Sequence, residues 1–169
     1  MGSSIGNFDP EELKNFLYAL RRNLRKGDAL LIGFDLEKNK IDLESAYNDK
    51  KGVTAKFNLN ILSRINRELA GKFKLSTFEH KSFFNIRKHR IEMHLQSKID
   101  QHVIIGSIGR TFYFKKGETI HTENSYKFTE NRLKALVKNA GLEVIKNFTD
   151  PEKQYSLILL KKVSNTTKP

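Results

Sequence analysis

Ala29-Leu30-Leu31-Ile32-Gly33-Phe34-Asp35 is a continuous apolar run closed by an acid, and it follows directly on a segment with helical periodicity. A run of this length, bounded by Gly27-Asp28 and Asp35, reads as a strand buried on both faces. Upstream, Asp9 followed by Pro10 and Glu12 reads as a helix start. Asp serves as N-cap, Pro suits the first helical position, and a carboxylate at the third completes a capping box. Leu13, Phe16, Leu17, Leu20 and Leu24 recur on one helical face, and Gly27 is expected to close the helix as its C′ glycine. Loop, helix and buried strand in this order make half of an open α/β sheet, where ligands bind at the carboxyl ends of parallel strands. Gly2 to Asn7 then form the loop that leaves an earlier strand and enters the helix.

Beyond Leu36 the pattern changes. A short helix is expected around 43–47, and a longer one from Val53, where Phe57, Ile61, Leu62, Ile65 and Leu69 recur at helical spacing until Gly71. Short strands follow over 82–86, 90–97, 102–105, 110–114 and 118–125, broken by turn signals such as Lys115-Lys116-Gly117. This stretch reads as a separate antiparallel α+β module. Thr129 then caps a helix carrying Leu133, Leu136, Val137 and Ala140, which stops at Gly141. Two strands over 142–149 and 155–162 flank a turn at Asp150-Pro151.

The 169 residues suffice for one sizeable core or parts of two. Hydrophobic residues at 38% and charged residues at 30% suit a globular chain rather than a disordered one. No apolar run reaches the ~18–20 residues that cross a bilayer, and the first residues lack a signal peptide's basic and apolar regions, so a cytoplasmic location without membrane contact is expected. Zero cysteines exclude disulfides, thiolate metal sites and Cys nucleophiles. A formal charge of +12, from 31 Lys+Arg against 19 Asp+Glu, raises a basic binding module for nucleic acid or an acidic partner as an alternative function. The basic residues are scattered, however, and carry no nucleic-acid-binding signature.

The richest polar segment is Gly117-Glu118-Thr119-Ile120-His121-Thr122-Glu123-Asn124-Ser125-Tyr126-Lys127-Phe128. Alternation along a strand puts Thr119, His121, Glu123 and Ser125 on one face, so a carboxylate and a hydroxyl point the same way and can grip an imidazole or an amine. A solvated hairpin edge is the competing reading. His121-Thr122-Glu123 also fits the H-x-E of zinc deaminases, but that chemistry needs cysteines this chain does not have. The histidines at 80, 89, 94, 102 and 121 show no metal-ligand spacing, and no G-x-S-x-G elbow is present, so neither a metal site nor a hydrolytic triad is expected.

Ser3-Ser4-Ile5-Gly6-Asn7-Phe8, Gly52-Val53-Thr54-Ala55-Lys56-Phe57-Asn58-Leu59-Asn60, Ile65-Asn66-Arg67-Glu68-Leu69, Arg90-Ile91-Glu92-Met93-His94-Leu95 and the 117–128 segment occur in that order. Together they resemble the histidine-specific, S-adenosylmethionine-dependent methyltransferase family, whose best-known members make trimethylhistidine for ergothioneine. The resemblance runs from about Gly2 to about Leu160 and covers the C-terminal half of a family member. It implies part of a class I, Rossmann-like α/β methyltransferase core over 1–37 and 128–163. An inserted α+β substrate-recognition module over 38–127 and a frayed polar tail over 164–169 complete the chain.

The resemblance also implies roles. Asn7 matches an asparagine that holds the backbone end of the bound amino acid, and Gly2 a position where backbone approaches the amino group and the cofactor. Tyr47 matches a tyrosine whose hydroxyl reaches the substrate carboxylate, with Thr54 beside the same pocket and Met93 packing on the substrate side chain. Glu123 and Ser125 match the pair that hydrogen-bonds the two imidazole nitrogens of L-histidine. No residue is assigned a covalent or acid–base catalytic role. Most of the S-adenosylmethionine pocket, including a Gly-rich loop after a first strand, has no counterpart here. The chain alone is therefore expected to be inactive, with a truncated gene, a separately encoded N-terminal half and a relic as the three explanations.

Overall fold

The computed structural model describes residues 2–163. In chain order the elements are a 3-10 turn over Ser3–Asn7, α1 (Pro10–Asn23), β1 (Ala29–Asp35), α2 (Lys40–Tyr47), α3 (Val53–Glu68), β2 (Phe78–Asn85), β3 (Arg90–Ser97), β4 (Gln101–Ile105), β5 (Arg110–Phe114), β6 (Thr119–Tyr126), α4 (Glu130–Asn139), β7 (Leu142–Thr149) and β8 (Tyr155–Lys162). They fall into two compact units. Unit 1 gathers the residues through Lys38, Ile86–Arg90 and those from Asn124 onward, while unit 2 comprises Asn39–Asn85 and Ile91–Glu123. The tail expected to fray, 164–169, lies outside the described residues.

Unit 1 is built on the sheet β1-β8-β7. The last strand, β8, lies in the middle, antiparallel to β1 on one side and to β7 on the other. Leu30, Ile32 and Phe34 of β1 pair with Leu160, Ile158 and Ser156 of β8 and so share one sheet face. On that face they join Leu13 and Leu17 of α1 and Leu133 and Val137 of α4 in a single core. The helix starts follow their sequence signals: the Glu12 carboxylate accepts from the Asp9 N–H at 3.0 Å, and the Thr129 hydroxyl accepts from Arg132 N–H.

Two expectations for this unit need correction. α1 ends at Asn23 rather than reaching Gly27. Asp28 competes for the backbone there, accepting from Arg25 N–H at 2.8 Å and donating its own N–H to the Arg25 carbonyl, so Gly27 (φ +94°) belongs to that turn instead of capping the helix. Nor is β1 buried on both faces along its length. Only Ile32, Gly33 and Phe34 are consecutively buried, and Leu31 is 45% exposed. Its outer face is covered at Gly33 by the Tyr155 ring, whose hydroxyl would stand 1.8 Å from any Cβ placed there.

Unit 2 contains α2, α3, β2, β4 and β5 together with most of β3 and β6. Leu62 of α3 packs with Phe73, Phe78, Leu95 and Val103 in one cluster, while Leu43 of α2 packs with Phe84, Ile91 and Met93 in another. Asn58, fully buried on α3, ties the helix to the strands by donating to the His94 carbonyl at 3.0 Å and bonding the His80 ring at 2.9 Å. No helix among the described residues is long and apolar enough to cross a membrane.

Candidate substrate-binding site

Gly2, Asn7 and Ser125 belong to unit 1, and Tyr47, Thr54, Met93 and Glu123 to unit 2. In unit 1 the 3-10 turn that carries Asn7 lies against the end of β6. A Cβ on Gly6 would sit 2.9 Å from the Tyr126 carbonyl oxygen and 3.8 Å from Ser125 Oγ. Glycine at position 6 thus permits the approach that brings Asn7, exposed at the end of its turn, into the neighbourhood of buried Ser125. Gly2 is exposed, and a Cβ there meets nothing within 4 Å, so its backbone is open to an incoming group.

Strand alternation describes β6 only in part. Exposure alternates from Thr119 to Thr122, after which Glu123 and Asn124 are half-buried and Ser125 and Tyr126 buried. The end of the strand is locked by groups that the sequence reading did not single out. Lys127, fully buried, donates from Nζ to Asp35 Oδ2 at 2.6 Å and to Ser125 Oγ at 2.9 Å. Arg90 donates to the Tyr126 hydroxyl at 2.7 Å, and that hydroxyl donates to Asp9 Oδ1 at 2.8 Å. Burial and the Asp9 carboxylate together push the Tyr126 phenol above its ordinary range. In a chain this basic, a single lysine reads as solvated surface. The one signal available was its place two residues beyond Ser125, at the same period-2 spacing.

Within unit 2 the structure brings Tyr47 and Met93 together. Met93 is 3% exposed in the cluster with Leu43, Phe84 and Ile91, and Tyr47 packs against that cluster. The Tyr47 carbonyl is held by the His80 ring at 2.9 Å. Thr54 stands in the first turn of α3, where its N–H goes to Asp49 Oδ1 at 2.8 Å and its hydroxyl also bonds that carboxylate. Backbone N–H donors from Thr54 and Val53, with the Thr54 hydroxyl, pull the Asp49 pKa down to about 2.

Three groups that the sequence leaves scattered also meet in unit 2. Ligand atoms of Glu92, His94 and His121 all lie within 4.8 Å of one another. The His94 ring is stacked between Phe83 and His121, with 4.6 Å between the imidazole centroids and 12° between their planes. Imidazole lone pairs lie in the ring plane, so two nearly parallel stacked rings aim theirs side by side rather than at one ion. Burial first, and then the neighbouring His121, lower the His94 pKa against the opposing pull of Glu92. A separate apolar groove of about 280 Å3 in unit 1, lined by Phe8, Leu13, Phe128 and Leu136 among others, includes none of the residues expected to bind the amino acid.

The chain is 41% identical over 159 residues to the histidine N-alpha-methyltransferase of Mycolicibacterium smegmatis, an alignment that covers 94% of this chain and 50% of that protein. It is 31% identical over 166 residues to ergothioneine biosynthesis protein 1 of Schizosaccharomyces pombe, covering 96% of this chain and 21% of that one. The L-tryptophan methyltransferase of Psilocybe serbica shares 28% identity over 163 residues, covering 95% and 45% respectively. The chain therefore spans half, or less than half, of the length of these relatives. A profile describing histidine-specific, S-adenosylmethionine-dependent methyltransferases matches residues 1–162, and on that match the chain belongs to this family.

Proposed function

We propose that this chain supplies amino-acid-binding residues to an enzyme that methylates the α-amino group of L-histidine, giving trimethylhistidine. The observation that supports this reading is the pairing of Glu123 and Ser125 on one strand, where the serine is buried and held by Lys127. A carboxylate accepts from a ring N–H, and a hydroxyl serves the other ring nitrogen. Indole and phenyl rings cannot satisfy both, and leaving either protein group unpaired costs a few kcal/mol. Histidine is favoured on that ground over the tryptophan of the Psilocybe relative.

The other residues divide the amino acid among them. Asn7 offers donor and acceptor to its backbone end, the Tyr47 hydroxyl meets the carboxylate, and Met93 lines the side chain. Thr54 sits beside them with its hydroxyl already bonded to Asp49. S-adenosylmethionine, when bound, supplies the methyl group, and in this chain the open backbone of Gly2 is what faces it. The work left to the chain's residues is to orient the amine for in-line attack and to keep its lone pair available. The rest of the relatives' length, in the same polypeptide or a separate one, would carry the Gly-rich cofactor loop.

Calorimetric titration of histidine and S-adenosylhomocysteine tests the reading, on this chain alone and on it joined with the remaining segment. Glu123→Ala in the assembled protein is expected to weaken histidine binding by about 10- to 100-fold, the cost of an unmade hydrogen bond to a charged group. Unchanged affinity would sink the proposal.

A further inference from the structure

We infer that Lys127 is a positioning residue that fixes the sense of the hydrogen bond Ser125 offers its ligand, so that the site takes the imidazole ring in its neutral form. The inference rests on the reading of Ser125 as an imidazole contact. An ammonium has three donors and no acceptor, so the 2.9 Å contact between Lys127 Nζ and Ser125 Oγ runs in one sense only, from lysine to serine. One lone pair of the hydroxyl is consumed, and the oxygen is polarised by a full charge. A hydroxyl in that state is a strengthened donor and a poor acceptor.

The ring nitrogen that meets Ser125 must then carry a lone pair rather than a proton. Glu123 alone would favour the opposite outcome, since a carboxylate stabilises imidazolium. Lys127 supplies the counterweight. Fully buried, it keeps its effect through the low-dielectric surroundings that water would otherwise screen. Its own charge is matched by Asp35 at 2.6 Å, and Asp35 is further paired with Lys38 at 3.1 Å. The lysine is thereby anchored to the carboxyl end of β1, and its aim at Ser125 is set by that anchor. A lysine placed only to hold β6 against β1 needs Asp35 but has no need of the serine.

The test uses L-histidine labelled with nitrogen-15 in the ring, bound to this chain joined with the remaining segment, at about pH 6, just below the ~6.5 of a free imidazole. Ring nitrogen shifts distinguish one protonated nitrogen from two. In the unaltered protein, bound histidine is expected to show one protonated and one unprotonated nitrogen. With Lys127→Met, and with the charge-balanced pair Asp35→Asn and Lys127→Met, both nitrogens become protonated and affinity falls about tenfold, as expected for one lost charge-assisted hydrogen bond. The paired variant removes both charges together, so it guards against misfolding from a stranded Asp35. Doubly protonated histidine in the unaltered protein, or a ring state unmoved by the Lys127 variants, overturns the inference while leaving the histidine site standing. Failure of histidine to bind the unaltered protein overturns both.

Discussion

Gly6 and Gly2 are a pair of glycines with opposite local surroundings, one and five residues ahead of Asn7. A methyl on Gly6 would press to 2.9 Å on the Tyr126 carbonyl, which is backbone and cannot swing aside, whereas a methyl on Gly2 meets nothing within 4 Å. Gly6→Ala should therefore lower stability by about 1–3 kcal/mol, the usual cost of overpacking, and should weaken histidine binding by displacing Asn7. Gly2→Ala should melt within error of the unaltered protein. Thermal melts and histidine titrations of the two variants check this, and equal stabilities would mean that the turn does not lie on β6 as described. The close approach at Gly6 was invisible in the sequence, because Ser3-Ser4-Ile5-Gly6-Asn7 has no periodicity and spoke only through its resemblance to a family. Lys127 was missed for a different reason. Burial of an ion is decided by partners far along the chain, here Asp35 at 92 residues' distance, and no local pattern reports them.

At the scale of elements, the start of α3 depends on a carboxylate that stands before it. Asp49 accepts from Val53 N–H at 2.9 Å and Thr54 N–H at 2.8 Å, while Gly52 in the left-handed region (φ +66°) turns the chain into the helix. The Asp49 pKa is lowered to about 2 from an ordinary 3.8, so the folded state prefers the ionised form. Its stabilisation is complete above the unfolded value and disappears as pH falls through about 2. Carboxyl carbon NMR should place the Asp49 midpoint near 2, with loss of amide protection in the first turn of α3 over the same acid range, and a midpoint at or above 3.8 would contradict the cap. Asp49→Asn should remove that part of the acid dependence. The sequence reading located α3 at Val53 from its apolar spacing but not this cap, since Asp49 lies four residues ahead, outside the three-residue spacing of a capping box. Where the signal sits on the helix itself, as at Asp9 with Glu12 and at Thr129, the observed start agrees with it. Strand limits at β3, β5, β7 and β8 were equally legible, because each is bounded by turn residues that stop the ladder.

For the molecule as a whole, the outer face of the β1-β8-β7 sheet sets an apolar surface against a large net charge. Leu31 pairs with Leu159 and Phe148 with Leu157, so these four side chains share the face opposite the core. Leu31 and Phe148 are 45% and 44% exposed, and β1 stands at the sheet's edge. Exposed apolar area beside an edge strand favours association, while the formal charge of +12 opposes it through repulsion between copies. The repulsion is screened by salt and the apolar attraction is not. The chain made on its own should therefore self-associate, and more strongly as ionic strength rises from about 0.05 to about 0.5 M, where the screening length shrinks to a few ångströms. Leu31→Lys should shift the equilibrium toward monomer at every salt concentration by breaking the apolar face and adding charge to the edge. Light scattering across a concentration series decides the matter. A monodisperse monomer in both salts would show that this face is satisfied within the chain, and association that weakens with salt would assign the contact to charge pairing instead of the leucine and phenylalanine side chains.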